Sequence, residues 1–218
     1  MTTKSVHGNL INKAAKQILS PLGCRQKGSS RLWYDDNQWW AVVVEFQPSA
    51  WAQGSYLNVG AMWFWNAKAH WSFNEGYRVE TFHEFKTEEQ FNEVALELAN
   101  RAASEVKSLR EKFRSIAAVA DYMAQKPKAS IWEHYHAAIA FGLAGDCVAA
   151  RTEFAMVQAS THDVPWVLSL KERTAELASG LDSPADFREM VLQEIQAART
   201  LLRLPTLNSE QILQAWGD

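Results

Sequence analysis

Trp39–Gln47 reads WWAVVVEFQ, and Tyr56–Asn66 reads YLNVGAMWFWN. Both runs are dense in β-branched and aromatic side chains, which pack well on a pleated surface, and both predict strands. Alternation sorts the first run into two faces, Trp39/Ala41/Val43/Glu45/Gln47 and Trp40/Val42/Val44/Phe46. The second set is uniformly apolar and is expected to point to the core. The other run divides into Leu57/Val59/Ala61/Trp63/Trp65 and Tyr56/Asn58/Gly60/Met62/Phe64. Pro48 closes the first strand because it offers no N–H to a ladder. Gly60, inside a strand, signals a bulge or a close backbone approach.

Working outward, Arg31–Asp35 predicts a preceding strand with Asp36-Asn37 as its turn, and Gly76–Phe82 a weaker fourth strand. Four successive strands with short connections imply an antiparallel sheet. Before them, Leu10, Ile11, Ala14, Ala15, Ile18 and Leu19 recur at helical spacing, and Ser20-Pro21-Leu22-Gly23 ends that helix. From Thr87 the period changes from 2 to 3.6. Thr87-Glu88-Glu89-Gln90 forms a capping box, and an apolar face runs from Phe91 to Ala120. An unbroken helix of that length is long for a small domain, so a break is expected around Arg110–Ser115. Ser130-Ile131-Trp132-Glu133 is a second capping box, Gly145-Asp146 a turn, and Ser183-Pro184 an N-cap with Pro at the first helical position. The fold class expected is α+β: an N-terminal helix and a small antiparallel sheet of about four strands, then a long helix and a C-terminal helical bundle or hairpin array. Residues 1–86 would form a Trp-rich α+β module and residues 87–218 a helical region.

Ten tryptophans occur in the chain, and seven of them lie between residues 33 and 71. They fall on both faces of the central strands. One face can be core; the other must meet a helix, a ligand or a partner. Tryptophan anchors interfaces because it buries a large area with few rotors. Trp39, Trp51, Trp63, Trp65 and Trp71 are therefore the candidate partner-binding residues, and a protein partner is expected.

The 218 residues suffice for a core without covalent staples. Cys24 and Cys147 make neither a disulfide framework nor a metal-ligand spacing. The start, MTTKSVHGNL, has no apolar h-region, and no run approaches the length of a membrane helix. A cytoplasmic protein without membrane association is expected. Net charge is −3, yet Lys4, Lys13, Lys16, Arg25, Lys27 and Arg31 stand in residues 1–34 without an acid, leaving about −9 for the rest. Lys13, Lys16, Arg25, Lys27 and Arg31 beside the aromatics are the alternative, nucleic-acid-binding set, although residues 35–84 are net acidic.

From Ile11 to Trp65 the chain resembles the bacterial family called domain of unknown function 4304. The residues are the helix leading into Leu22-Gly23, Lys27-Gly28, the Trp33-Tyr34 strand, Trp40–Phe46 running into Gln47-Pro48-Ser49, and Asn58-Val59-Gly60. The resemblance implies an α+β domain and no particular activity; an immunity-type or adaptor role goes with it. Ile131–Val157 resembles a single tetratricopeptide-type hairpin, with Ala138 and Phe141 on the first helix and Ala150 and Phe154 on the second. An ordinary helical hairpin would place the same residues. Shifting the pattern by one repeat puts Pro184 and Arg188 in the Ala and Phe slots, which argues against an array.

Catalytic signatures are weak. His134 and His136 are two apart on a helix and so face different ways, and Glu133 with His136 supplies too few ligands for a metal. No metal site and no cofactor is expected. Glu45 with His70 or His83, and Glu84 beside them, is the set from which a hydrolase would draw an acid and a base. There is no G-x-S-x-G and no phosphate-cradling glycine loop. The sequence therefore points to a non-enzymatic binding or interaction protein.

Overall fold

The computed structural model describes residues 6–216; Lys4 lies outside them. The protein is α+β. Two compact units form: one holds the chain up to Met62 together with Trp71–Glu111, the other Trp63–His70 together with the chain from Lys112 onward. The sheet unit thus keeps the helix that follows it, and the boundary falls later than the change of sequence period near residue 87.

In the first unit, α1 (Val6–Leu19) buries Ile11, Ala14, Ala15 and Leu19 at helical spacing. A 3-10 turn, Ser20–Leu22, and Gly23 at φ 90° then redirect the chain, and the Gly23 N–H donates to the Ser20 carbonyl. The sheet is a meander in the order β1-β2-β3-β4-β5. Its strands are β1 (Arg25–Gln26), β2 (Leu32–Asp36), β3 (Trp40–Glu45), β4 (Gly54–Trp63) and β5 (Glu75–Glu84). There are five strands where four are expected. The additional β1 has two residues, paired with Trp33 and Tyr34, and is too short to show alternation.

In β3 every residue from Trp40 to Val44 is buried, so both faces of the central strand are covered. Gly60 is a close approach: it sits opposite Gly76, where an added Cβ would stand 2.3 Å from the Glu75 carbonyl oxygen. The irregular register lies instead between Ser55 and Asn58. Strand β5 is an exposed edge carrying Glu75, Arg78, Glu80, His83 and Glu84, charges that oppose pairing with another sheet.

Helix α2 (Glu88–Lys112) starts on Thr87, whose Oγ1 accepts from the Gln90 N–H; the Gln90 side chain accepts from the Lys86 N–H rather than closing the expected reciprocal box. The helix stops where a break is expected, and α3 (Ile116–Gln125) restarts on Ser115, whose side chain accepts from the Ala118 N–H.

The second unit is helical. The Ser130/Glu133 capping box opens α4 (Ile131–Leu143), and Asp146 caps α5 (Cys147–Gln158) after Gly145 at φ 89°. Ala138 and Ala150 are fully buried and let the two helices approach, with Phe154 filling beside them. Helices α6 (Pro165–Ser179), α7 (Pro184–Leu201) and α8 (Ser209–Gln214) follow. Gly142 gives α7 its packing distance, since a Cβ there would lie 2.5 Å from the Phe187 ring.

Candidate functional site

The hairpin β1–β2 turns tightly over residues 27–30: the Ser30 N–H and its hydroxyl both donate to the Lys27 carbonyl, and the Gln26 amide donates to the Ser30 carbonyl. This geometry brings Lys27 and Arg31 to the end of β3. Together with Ser30, Leu32, Glu45, Phe46 and Pro48 they line a cavity of about 370 Å³. Arg31 is half-buried, and its Nη1–H donates to the Gly54 carbonyl at 3.0 Å. Burial lowers its pKa, yet a guanidinium keeps its charge in proteins. The Glu45 carboxylate accepts from Asn58 at 3.1 Å, and the same Asn58 amide donates to Gln47. Arg78 also donates to Gln47, and its guanidinium stacks 4.1 Å over the Tyr56 ring.

The loop from β3 to β4 leaves the cavity at Pro48 and returns at Gly54, the residue Arg31 holds. At its tip Trp51 is 96% exposed. The cavity itself holds two cations, Lys27 and Arg31, and one carboxylate, Glu45, which Asn58 engages.

Of the five expected partner-binding tryptophans, Trp51 is exposed and Trp71 is half-buried, stacked on Tyr34 at 4.4 Å. Trp39, Trp63 and Trp65 are corrected to core residues, each no more than 1% exposed. Trp63 and Trp65 stack on each other at 5.1 Å, Phe113 meets Trp63 edge-on, and the Trp65 indole N–H donates to His136 Nδ1 at 3.0 Å. Alternation assigns residues to faces; it does not reveal that both faces are covered.

The basic set divides. Lys13 and Lys16 are exposed on α1, Arg25 is exposed on β1, and only Lys27 and Arg31 meet in the cavity. The acid–base set is likewise spread. Glu45 lies on β3; His83 lies on β5 opposite Ser55, with Nε2 3.7 Å from Glu80; His70 is exposed and belongs to the other unit. Among the described residues no three His, Cys, Asp or Glu side chains gather to hold a metal ion, and no helix is long and apolar enough to cross a membrane. Ser30, Leu32, Phe46 and Pro48, which complete the cavity, carried no signal as site residues in the sequence, because only the pairing of β2 with β3 brings them together.

No family model, no curated protein and no solved structure matches the chain.

Proposed function

We propose that the protein is a non-enzymatic recognition module that engages an acidic protein partner through Trp51 and the cationic cavity at its base. The observation that carries this is Trp51 itself, 96% exposed on a loop anchored by Arg31. An indole in water gains much by transfer into a partner pocket, and Lys27 and Arg31 favour a partner of opposite charge. The resemblance of residues 11–65 to domain of unknown function 4304 supports giving this binding an immunity-type or adaptor role.

The test is a photo-crosslinking amino acid placed at Trp51 in the native cell, with exposed Val148 as the control position. A specific polypeptide crosslinked from position 51, and lost on Lys27→Glu with Arg31→Glu, is expected. The same crosslinks from position 148, or a partner retained undiminished by Trp51→Ala, would overturn the proposal.

A second reading, single-stranded nucleic acid, is favoured by one observation: Lys27 and Arg31 share a cavity wall with the start of the Trp51 loop. It requires oligonucleotide binding that quenches Trp51 and falls steeply with salt.

A further inference from the structure

One register row crosses the whole sheet. The Lys27 N–H donates to the Leu32 carbonyl, Leu32 pairs with Glu45, the Glu45 carboxylate accepts from Asn58, and Asn58 pairs with Arg78. Directly opposed residues share a face, so these five side chains stand on one side of the sheet. The neighbouring row on that side, with Tyr34, Val43, Gly60 and Gly76, is covered by the segment before β5. Trp71 stacks on Tyr34 at 4.4 Å, and the Phe73 ring reaches within 3.0 Å of where a Gly60 Cβ would stand. The first row stays open: Leu32, Glu45 and Asn58 are half-exposed, and Lys27 and Arg78 are exposed. Its polar groups are fixed in advance. Asn58 donates to both Glu45 and Gln47, and Arg78 donates to Gln47 at 3.0 Å. Among the described residues no carboxylate pairs with Lys27 or Arg78. The row thus presents a cation at each end and a carboxylate between them.

We propose that the acidic protein partner lies along this row, as a segment that crosses the strands. A carboxylate at each end of the segment meets Lys27 and Arg78, a donor between them meets Glu45, and an apolar side chain enters the cavity at Leu32, Phe46 and Pro48. Four steps of about 4.8 Å between strands set the two acids about 19 Å apart. The inference rests on the proposed acidic partner and extends its footprint to Arg78. Two observations carry it. The unpaired cations at the ends call for acids, and the row is continuous with the cavity assigned to the partner, which Lys27, Leu32 and Glu45 line. Side chains already held by one another lose little freedom on binding. A nucleic-acid strand fits less well, because Glu45 would stand under its uniform negative charge.

The experiment places the photo-crosslinking amino acid at Leu32 of the full chain in the native cell, with exposed Ser104 on α2 as the control position. The polypeptide captured from Trp51 is expected from Leu32 as well, and mass spectrometry of the adduct should find acidic residues on both sides of the crosslinked one. Affinity is then measured with that polypeptide purified. Arg78→Glu is expected to weaken it about tenfold or more, since a like-charge contact replaces an attractive one. Arg78→Lys keeps the charge and should retain most of the binding, and melting curves confirm that both variants fold. Changing the partner's acid nearest Arg78 to lysine should restore binding to Arg78→Glu. Capture from Trp51 without capture from Leu32 would overturn this inference and leave the Trp51 reading standing; capture from neither would remove both. Equal adducts from Ser104, undiminished affinity in Arg78→Glu, or no restoration by any partner acid-to-lysine change would also overturn it.

Discussion

Arg110 holds Asp35 in a bidentate pair: its Nε–H donates to Oδ2 at 2.8 Å and its Nη2–H to Oδ1 at 2.6 Å. The same Nη2 donates to the Leu22 carbonyl, so one guanidinium ties α2 to β2 and to the turn after α1. Asp35 is buried, its side chain 7% exposed, and Asn37 donates to the oxygen Arg110 also uses.

Removing the cation strands a buried carboxylate. Loss of one partner of a buried pair costs roughly 3–5 kcal/mol, and the one-third exposure of Arg110 discounts this to about 2–3 kcal/mol. Arg110→Met should lower the urea midpoint accordingly. Arg110→Lys should recover only part, because a point charge cannot span both oxygens. Arg110→Met with Asp35→Asn should be less damaging than Arg110→Met alone, and equal damage would show that the pair is not the cause.

His136 should make stability pH-dependent. It is buried, and its pKa falls to about 3, through burial first and then the nearby charges of Lys68 and Lys126, with Glu133 opposing. Its Nδ1 accepts from Trp65, so the proton of the neutral ring is on Nε2. The unfolded chain takes up a proton near 6.5 and the folded one only near 3. The folded state thus binds fewer protons in between. The contribution is complete above 6.5 and is lost as pH falls through that window, at up to about 1.4 kcal/mol per pH unit. Melting temperatures of wild type and His136→Gln should converge as pH drops from 7 toward 4.

The two thiols should separate by reactivity. Cys24 is buried, and burial, with Asp35 adding to it, raises its pKa to about 12. Cys147 is partly exposed at the start of α5. An alkylating reagent at neutral pH should modify Cys147 on the native protein and Cys24 only after denaturation; mass spectrometry of the intact chain reads both.

Gly60→Ala should be among the most damaging small substitutions in the sheet. The new methyl would lie 2.3 Å from the Glu75 oxygen and 2.5 Å from the Gly76 Cα, both backbone atoms. Overpacking of this kind costs about 1–3 kcal/mol or more. Phe73→Ala should not rescue it, since the ring is not the obstacle, and a rescue seen in chemical denaturation would disprove that account.

The sequence by itself determined the α+β class, the strand cores, the helix caps at Thr87, Ser130 and Ser183, and the break before α3. These are local properties: period, β-branching and capping chemistry act within a few residues. It also marked Gly60, although a close approach and a bulge leave the same trace along one strand. Tertiary structure alone decided the rest. The pairing of Gly60 with Gly76 chose between those two, and β1 exists only because Trp33 and Tyr34 offer it a ladder. Above all, tertiary packing decided the fate of the tryptophans. A strand's alternation tells which residues share a face, but burial depends on what segments distant in sequence bring against that face. Trp39, Trp63 and Trp65 are thereby closed into the core, and Trp51 is left in water.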